Sequence, residues 1–181
     1  LSSSKKHLNI SYTLKSNAFF RVSKECQIMS ELDILEKVMK EKISADHLLY
    51  VSMKYTKTCD VMINLIKRWK IMMDYAFDGL LEISKKRKKI KTIPTAPKLR
   101  IDAIKELFKK NPEVINAVTE YEMFKLIDPL IKTKEGEFRK GVCLRVMFKG
   151  KETAINLDKL KEYAEILERF INYTKLFLSQ K

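Results

Sequence analysis

SADHLLYVSMKYTKTCDVMINLIKRWKIMMDYAFDGLL, residues 44–81, is the stretch whose reading decides the fold. Along it Leu48, Ser52, Tyr55, Cys59, Met62, Ile66, Trp69, Met73, Ala76 and Leu80 recur at alternating spacings of four and three, the pattern of one apolar stripe on an α-helix. No Gly or Pro interrupts it before Gly79. Ser44 is placed to cap the start, and Asp46 complements the positive end of the helix dipole. As one helix the stretch is a rod of about 50 Å at roughly 1.5 Å per residue, too long for one short partner to cover. It must lie along a bundle or bend near Thr56-Lys57-Thr58. Met62, Met72 and Met73 around Trp69 read as ordinary core, flexible thioethers filling gaps beside the indole.

Upstream, Ser30 is a candidate cap for a short helix ending near Lys42, with Glu31 and Asp33 in its first turn and Leu32, Leu35, Val38 and Met39 on one face. Before it Leu8, Ile10, Tyr12 and Leu14 alternate with polar residues, which predicts a strand. Lys15-Ser16-Asn17 would turn it into a second strand around Phe19 to Val22, although the Ser-rich start suits a loose arm equally. Residues 1–28 therefore read as an N-terminal extension or hairpin, and 29–181 as a single helical-bundle domain.

Downstream, Ile101, Ile104, Leu107 and Phe108 restore the helical period, and Asn111-Pro112 starts another helix carrying Val114, Ile115, Val118, Met123 and Phe124. Pro129 opposes its continuation. Lys132 to Gly141 reads as an exposed charged connection. Leu144, Val146 and Phe148 then alternate with Cys143, Arg145 and Met147, turn at Lys149-Gly150-Lys151 and return through Thr153-Ala154-Ile155, a β-hairpin over 142–156. Asn156 caps a last helix whose seam is Leu157, Leu160, Ala164, Leu167, Ile171 and Leu178, flanked by Tyr163, Phe170 and Tyr173. The predicted fold is mostly α: an up-and-down helical bundle with one long central helix, the 142–156 hairpin and an N-terminal hairpin.

Four Gly and four Pro in 181 residues leave too little turn punctuation for a many-stranded sandwich or barrel. Cys26, Cys59 and Cys143 lie far apart without a CxxC pair, which fits a reducing cytoplasm rather than a zinc knuckle or disulfide framework. Lys67, Arg68, Lys70 and Asp74 interrupt the most hydrophobic stretch, so no membrane span is expected. The balance of 37 Lys+Arg over 23 Asp+Glu gives +14 and concentrates polyanions around the molecule. A Lys-rich surface is equally a mark of genome bias or of thermophilic proteins.

The charge is densest in Lys85, Lys86, Arg87, Lys88, Lys89, Lys91, Lys98 and Arg100, with no acidic residue from Ser84 to Ile101. Cations complement a helix C-terminus over its last turn, which accounts for part of the run only. Together with Arg139, Lys140 and Arg145 it is the candidate nucleic-acid interface, engaging phosphates without reading sequence. No aromatic residue is interleaved with the run, so base stacking is not implied. Gly79, Gly136, Gly141 and Gly150 are too scattered for a phosphate loop, and His7 and His47 too far apart for a metal site. His47 beside Asp46 reads as surface, and Glu120, Glu122 and Asp128 as solvated ion-pair partners. No catalytic residue, metal or cofactor is expected.

The segment from Asp46 through Leu81, the basic Pro-containing loop, two further helices, Glu137-Phe138-Arg139-Lys140 and the closing Leu157 to Leu178 helix resemble HEPN-type helical bundles of prokaryotes over about residues 44–178. The resemblance implies a small dimeric bundle, metal-independent ribonuclease activity in many members, and pairing with nucleotidyltransferases as toxin–antitoxin systems. Active members carry an Arg followed four to six residues later by His. Here Arg139 is followed by Lys140, Gly141, Val142, Cys143, Leu144 and Arg145, and no Arg has a His at that spacing. The expectation is a non-catalytic, homodimeric binding module for RNA or an acidic protein. A divergent endoribonuclease using Arg139 with a nearby polar residue, and a purely structural dimerisation protein, are the alternatives.

Overall fold

The computed structural model describes residues 31–180, so the expected N-terminal strands and the Ser30 cap lie outside the described residues. Helix α1, Glu31–His47, continues through a π-helical turn, Leu48–Ser52, and one further α turn, Met53–Tyr55. Helix α2 is Cys59–Lys86, α3 Pro97–Leu107, α4 Pro112–Phe124, followed by β1 Lys132–Glu135, β2 Cys143–Phe148, β3 Lys151–Asn156 and α5 Leu157–Ser179. The α2 helix is the central rod; α1, α3, α4 and α5 all pack on it.

The 44–81 stretch is two helices rather than one. Ser44 caps nothing: its hydroxyl donates back to the Lys40 carbonyl at 3.0 Å inside an unbroken α1. The interruption falls at Thr56-Lys57-Thr58, the alternative bend point, where β-branched side chains weaken the helix and offer local hydrogen bonds. The Thr58 hydroxyl accepts from Val61 N at 3.4 Å, and Glu137 Oε1, from a loop 78 residues away, accepts from Cys59 N at 3.1 Å. The Lys57 carbonyl accepts from Phe138 N at 2.7 Å. Backbone groups freed by the break are thus satisfied by side chains and by the β1–β2 loop.

The buried face before the break differs from the expected stripe. Ala45, Leu49 and Met53, spaced by four, are inside, while Tyr55 of the expected stripe is 76% exposed. From Cys59 onward the stripe is as read: Cys59, Met62, Ile66, Trp69, Met73, Ala76 and Leu80 are all buried. Of the face expected for the first helix, Val38 is buried and Leu35 and Met39 are half-buried, but Leu32 is 77% exposed and Ile34 is buried in its place. That helix has apolar residues on more than one side, and only the partner helix chooses between them. The choice is made at Gly79, where an added Cβ would come within 2.9 Å of Ile34 Cγ2 and 3.3 Å of Leu178 Cδ2, so glycine lets α1 and α5 close on α2.

Trp69 stacks on Phe124 with centroids 5.8 Å apart, and Tyr163 meets Phe124 edge-on at 5.2 Å, joining α2, α4 and α5. Side chains of this size each contribute about 1.5–3 kcal/mol by burial. Asn156 Oδ1 accepts from Lys159 N at 2.8 Å, capping α5 as its sequence requires. The hairpin is β2–β3, with Leu144 paired to Ile155 and Val146 to Thr153. A third strand, β1, adds antiparallel to β2 where a plain connection was expected. Its Lys-Thr-Lys-Glu sequence has no apolar period to signal a strand, and its charges suit a sheet edge that must not recruit another chain. Among the described residues no helix is long and apolar enough to cross a membrane.

Candidate nucleic-acid interface

The basic segment leaves α2 through a left-handed turn. Lys89 N donates to Ser84 O at 2.8 Å and Lys88 N to Lys85 O at 2.9 Å, the paired closure of a Schellman motif, with Lys88 at φ 56° in the position glycine favours. Arg87 turns inward: its guanidinium donates to the Phe177 carbonyl at 2.9 Å and the Gln180 carbonyl at 2.5 Å and lies 4.4 Å from the Phe177 ring centroid. It therefore caps the end of α5. Lys86 pairs with Glu31 at 3.2 Å, and Lys89 Nζ sits 5.6 Å from the same Phe177 ring. The ammonium groups of Lys85, Lys88, Lys91 and Lys98 are exposed and meet no partner among the described residues.

Two clefts flank α3. In one, of about 310 Å³, every charge is matched. Arg100 pairs with Asp78, Lys70 with Asp74 at 2.6 Å, and the Tyr121 hydroxyl donates to Asp74 at 2.6 Å. Burial pushes the Asp78 carboxyl above its ordinary range, with Asp74 and Glu82 acting the same way against Arg100. The Tyr121 phenol is pushed up by burial and by its bond to Asp74, so it stays protonated.

The other cleft, of about 340 Å³, lies between α3, α4 and the β2–β3 turn. Glu122 accepts from Lys105 at 2.7 Å and Lys149 at 2.5 Å, and these two bonds hold its carboxyl down to about 2. Ile101, Leu126 and Phe148 give apolar lining, while Lys98 and Lys125 stand at its edge without a partner among the described residues. Sequence reading found Lys98 and took Glu122 as an ion-pair partner, which Lys105 and Lys149 make it, but did not find Phe148 or Lys125 as cleft residues. No local signal marks them, because the residues come from three elements.

The remaining predicted cations are elsewhere. Arg145 is pinned on the sheet between Glu135 at 2.8 Å and Glu152 at 3.5 Å. Arg139 and Lys140 occupy the β1–β2 loop, where Arg139 N donates to Gly136 O at 3.1 Å and both side chains are exposed. That loop is fastened to the N-terminus of α2 by Glu137 and Phe138. Lys85 to Lys91 leave its C-terminus, 28 residues and about 42 Å away at 1.5 Å per residue. The structure therefore leaves Arg139 and Lys140 at the end of the rod opposite Lys85 to Lys91, and engages Arg145 with carboxylates on the sheet.

Groups weighed for catalysis are dispersed. His47 is exposed in a shallow depression beside Arg68, whose guanidinium is bound to Glu41 at 3.0 Å, and Asp46 pairs with Lys42 at 2.7 Å. Asp128 pairs with Lys67 at 2.7 Å, and burial raises the Glu120 carboxyl. Cys59 Sγ donates to the Cys143 carbonyl at 3.4 Å, and burial pushes both thiols up, away from the reactive thiolate. Among the described residues no three His, Cys, Asp or Glu side chains converge as metal ligands.

Among the described residues, fold and site together define a class: a five-helix bundle with a three-stranded antiparallel sheet and a basic segment, only partly compensated, between α2 and α3. No protein-family model, no curated protein and no solved structure matches the chain.

Proposed function

We propose that the protein is a non-catalytic binding module that engages RNA, or a chemically similar polyanion, through phosphate contacts made by Lys85, Lys88, Lys91 and Lys98. One observation carries this reading. Of the eight cations from Lys85 to Arg100, only Lys86 and Arg100 meet a carboxylate among the described residues, and the segment contains no acid of its own. Capping and ion pairing explain Lys86, Arg87 and Arg100, and Lys89 lies over the Phe177 ring; Lys85, Lys88, Lys91 and Lys98 are left without a structural task. A chain of ammonium groups on a solvent-facing connection gains affinity for phosphates by releasing their counterions.

Fluorescence anisotropy with a generic single-stranded RNA tests this, comparing wild type with a variant in which Lys85, Lys88, Lys91 and Lys98 are replaced by Gln. Lys86, Arg87 and Arg100 are kept because they hold α1, α5 and α2. The variant should bind at least about tenfold more weakly at low salt, and the slope of log affinity against log salt should shrink by about 3, at roughly 0.7 per phosphate contact. Equal affinities and slopes would remove the segment from the interface. Cleavage of the RNA under metal-free conditions would favour the divergent HEPN-type endoribonuclease instead.

A further inference from the structure

We propose that the cleft between α3, α4 and the β2–β3 turn seats one unstacked nucleobase of a single-stranded nucleic acid, with flanking phosphates on Lys98 and Lys125. This rests on the polyanion reading above and narrows it from any phosphate polymer to an unpaired strand.

The cleft combines features that a phosphate alone does not need. Its volume, about 340 Å³, is at the small end of the roughly 300–1,000 Å³ typical of organic-ligand sites. That suits one flat heterocycle with its sugar rather than a larger cofactor. The lining is chiefly apolar, from Ile101, Leu126 and the half-buried Phe148, and Leu126 is 39% exposed with nothing covering it among the described residues. A fully hydrated anion gains nothing from such a wall. A base gains stacking and burial on it while its backbone stays in water.

Four lysines line the cleft against two carboxylates, Glu122 and Asp102, so its charge balance favours an anion. Glu122 is the inner acid of the cleft, and Lys105 and Lys149 already neutralise it from opposite walls. Lys149 Nζ also lies 5.1 Å from the Phe148 ring centroid, so this side chain ties the aromatic to the ionic clamp. Lys98 and Lys125 remain at the mouth as positive charge without a partner among the described residues, and Lys98 is the last of the four such lysines in the basic segment. Lys98 thus belongs both to the basic segment and to the mouth of the cleft. Asp102, exposed at the same mouth, supplies an acceptor for base N–H groups. A duplex keeps its bases stacked and cannot use the cleft.

The test uses the full chain with a labelled single-stranded RNA and the corresponding duplex, by anisotropy at one salt concentration and then across salt. Phe148→Leu should weaken single-strand binding about tenfold, the scale of one lost base stack, while leaving duplex affinity and the salt slope unchanged. Lys125→Gln, at an exposed position that cannot disturb the core, should lower single-strand affinity and reduce the salt slope by about 0.7. If both variants bind the single strand as wild type does while the four-lysine variant has lost affinity, the cleft proposal fails and the phosphate reading stands. If wild type binds neither RNA, both fail. Tighter binding of duplex than of single strand, or displacement of RNA by polyglutamate with the same dependence on Phe148, would also overturn the base pocket.

Discussion

The two clefts beside α3 share Ile101 in their walls and have similar volumes, yet their charges are organised oppositely. On one side Asp74, Asp78, Lys70, Arg100 and Tyr121 satisfy one another, so the polar groups stiffen the junction of α2, α3 and α4. On the other side Glu122 absorbs two lysines while Lys98 and Lys125 are left over. A basic residue near a cleft is therefore no guide to binding by itself. What matters is whether the fold has supplied it with a carboxylate.

The largest expected effect separates Arg100 from Lys98, two residues apart. Arg100→Ala removes the partner of the half-buried Asp78 carboxylate and should cost about 1–2 kcal/mol, because breaking such a pair leaves a charge to be solvated. Lys98→Ala should stay within about 0.5 kcal/mol. Thermal melts at neutral pH decide it: equal melting temperatures would mean the closed cleft is no more structural than the open one.

Glu122 gives an intermediate effect with a defined pH dependence. Its folded-state carboxyl titrates near 2, below the ordinary value of 4.5, so its contribution is fully present above that ordinary value and is lost as pH falls from about 4.5 toward 2. Both lysines are substantially exposed, and screening reduces the contribution to about 1 kcal/mol. Glu122→Gln should lower the melting temperature by about 2–4 °C at pH 7, with the gap to wild type closing in acid. The same substitution releases Lys105 and Lys149 and should tighten RNA binding. A pH-independent gap would show that the clamp is not electrostatic.

The smallest effect is at the Schellman turn. Lys88 holds φ 56°, a conformation that costs an L-residue with a β-carbon about 1 kcal/mol and costs glycine almost nothing. Lys88→Gly should raise the denaturation midpoint by an amount worth about 0.5–1 kcal/mol while removing one cation from the interface. Stabilisation with weaker RNA binding would show that lysine is kept there against its conformational cost.

Much of the architecture was readable from local patterns. The stripe from Cys59 to Leu80, the alternation of Leu144, Val146 and Phe148, and Asn156 ahead of a helical seam each follow from neighbours within a few residues. The break at Thr56–Thr58 was legible as a bend point, but the π turn and the burial of Leu49 rather than Leu48 were not. Of the basic site, the cations themselves were visible and their availability was not. Glu31 neutralises Lys86 from 55 residues away and Phe177 recruits Arg87 from 90.

The sequence by itself determined the helical rod, the hairpin and the excess positive charge, because period and composition are properties of contiguous residues. Tertiary structure alone decided which side of α1 faces inward, which lysines lack a counter-ion, and that Phe148 shares a cleft with Lys98. Packing and ion pairing act between residues far apart in the chain, and no spacing rule encodes which distant partner a side chain will meet.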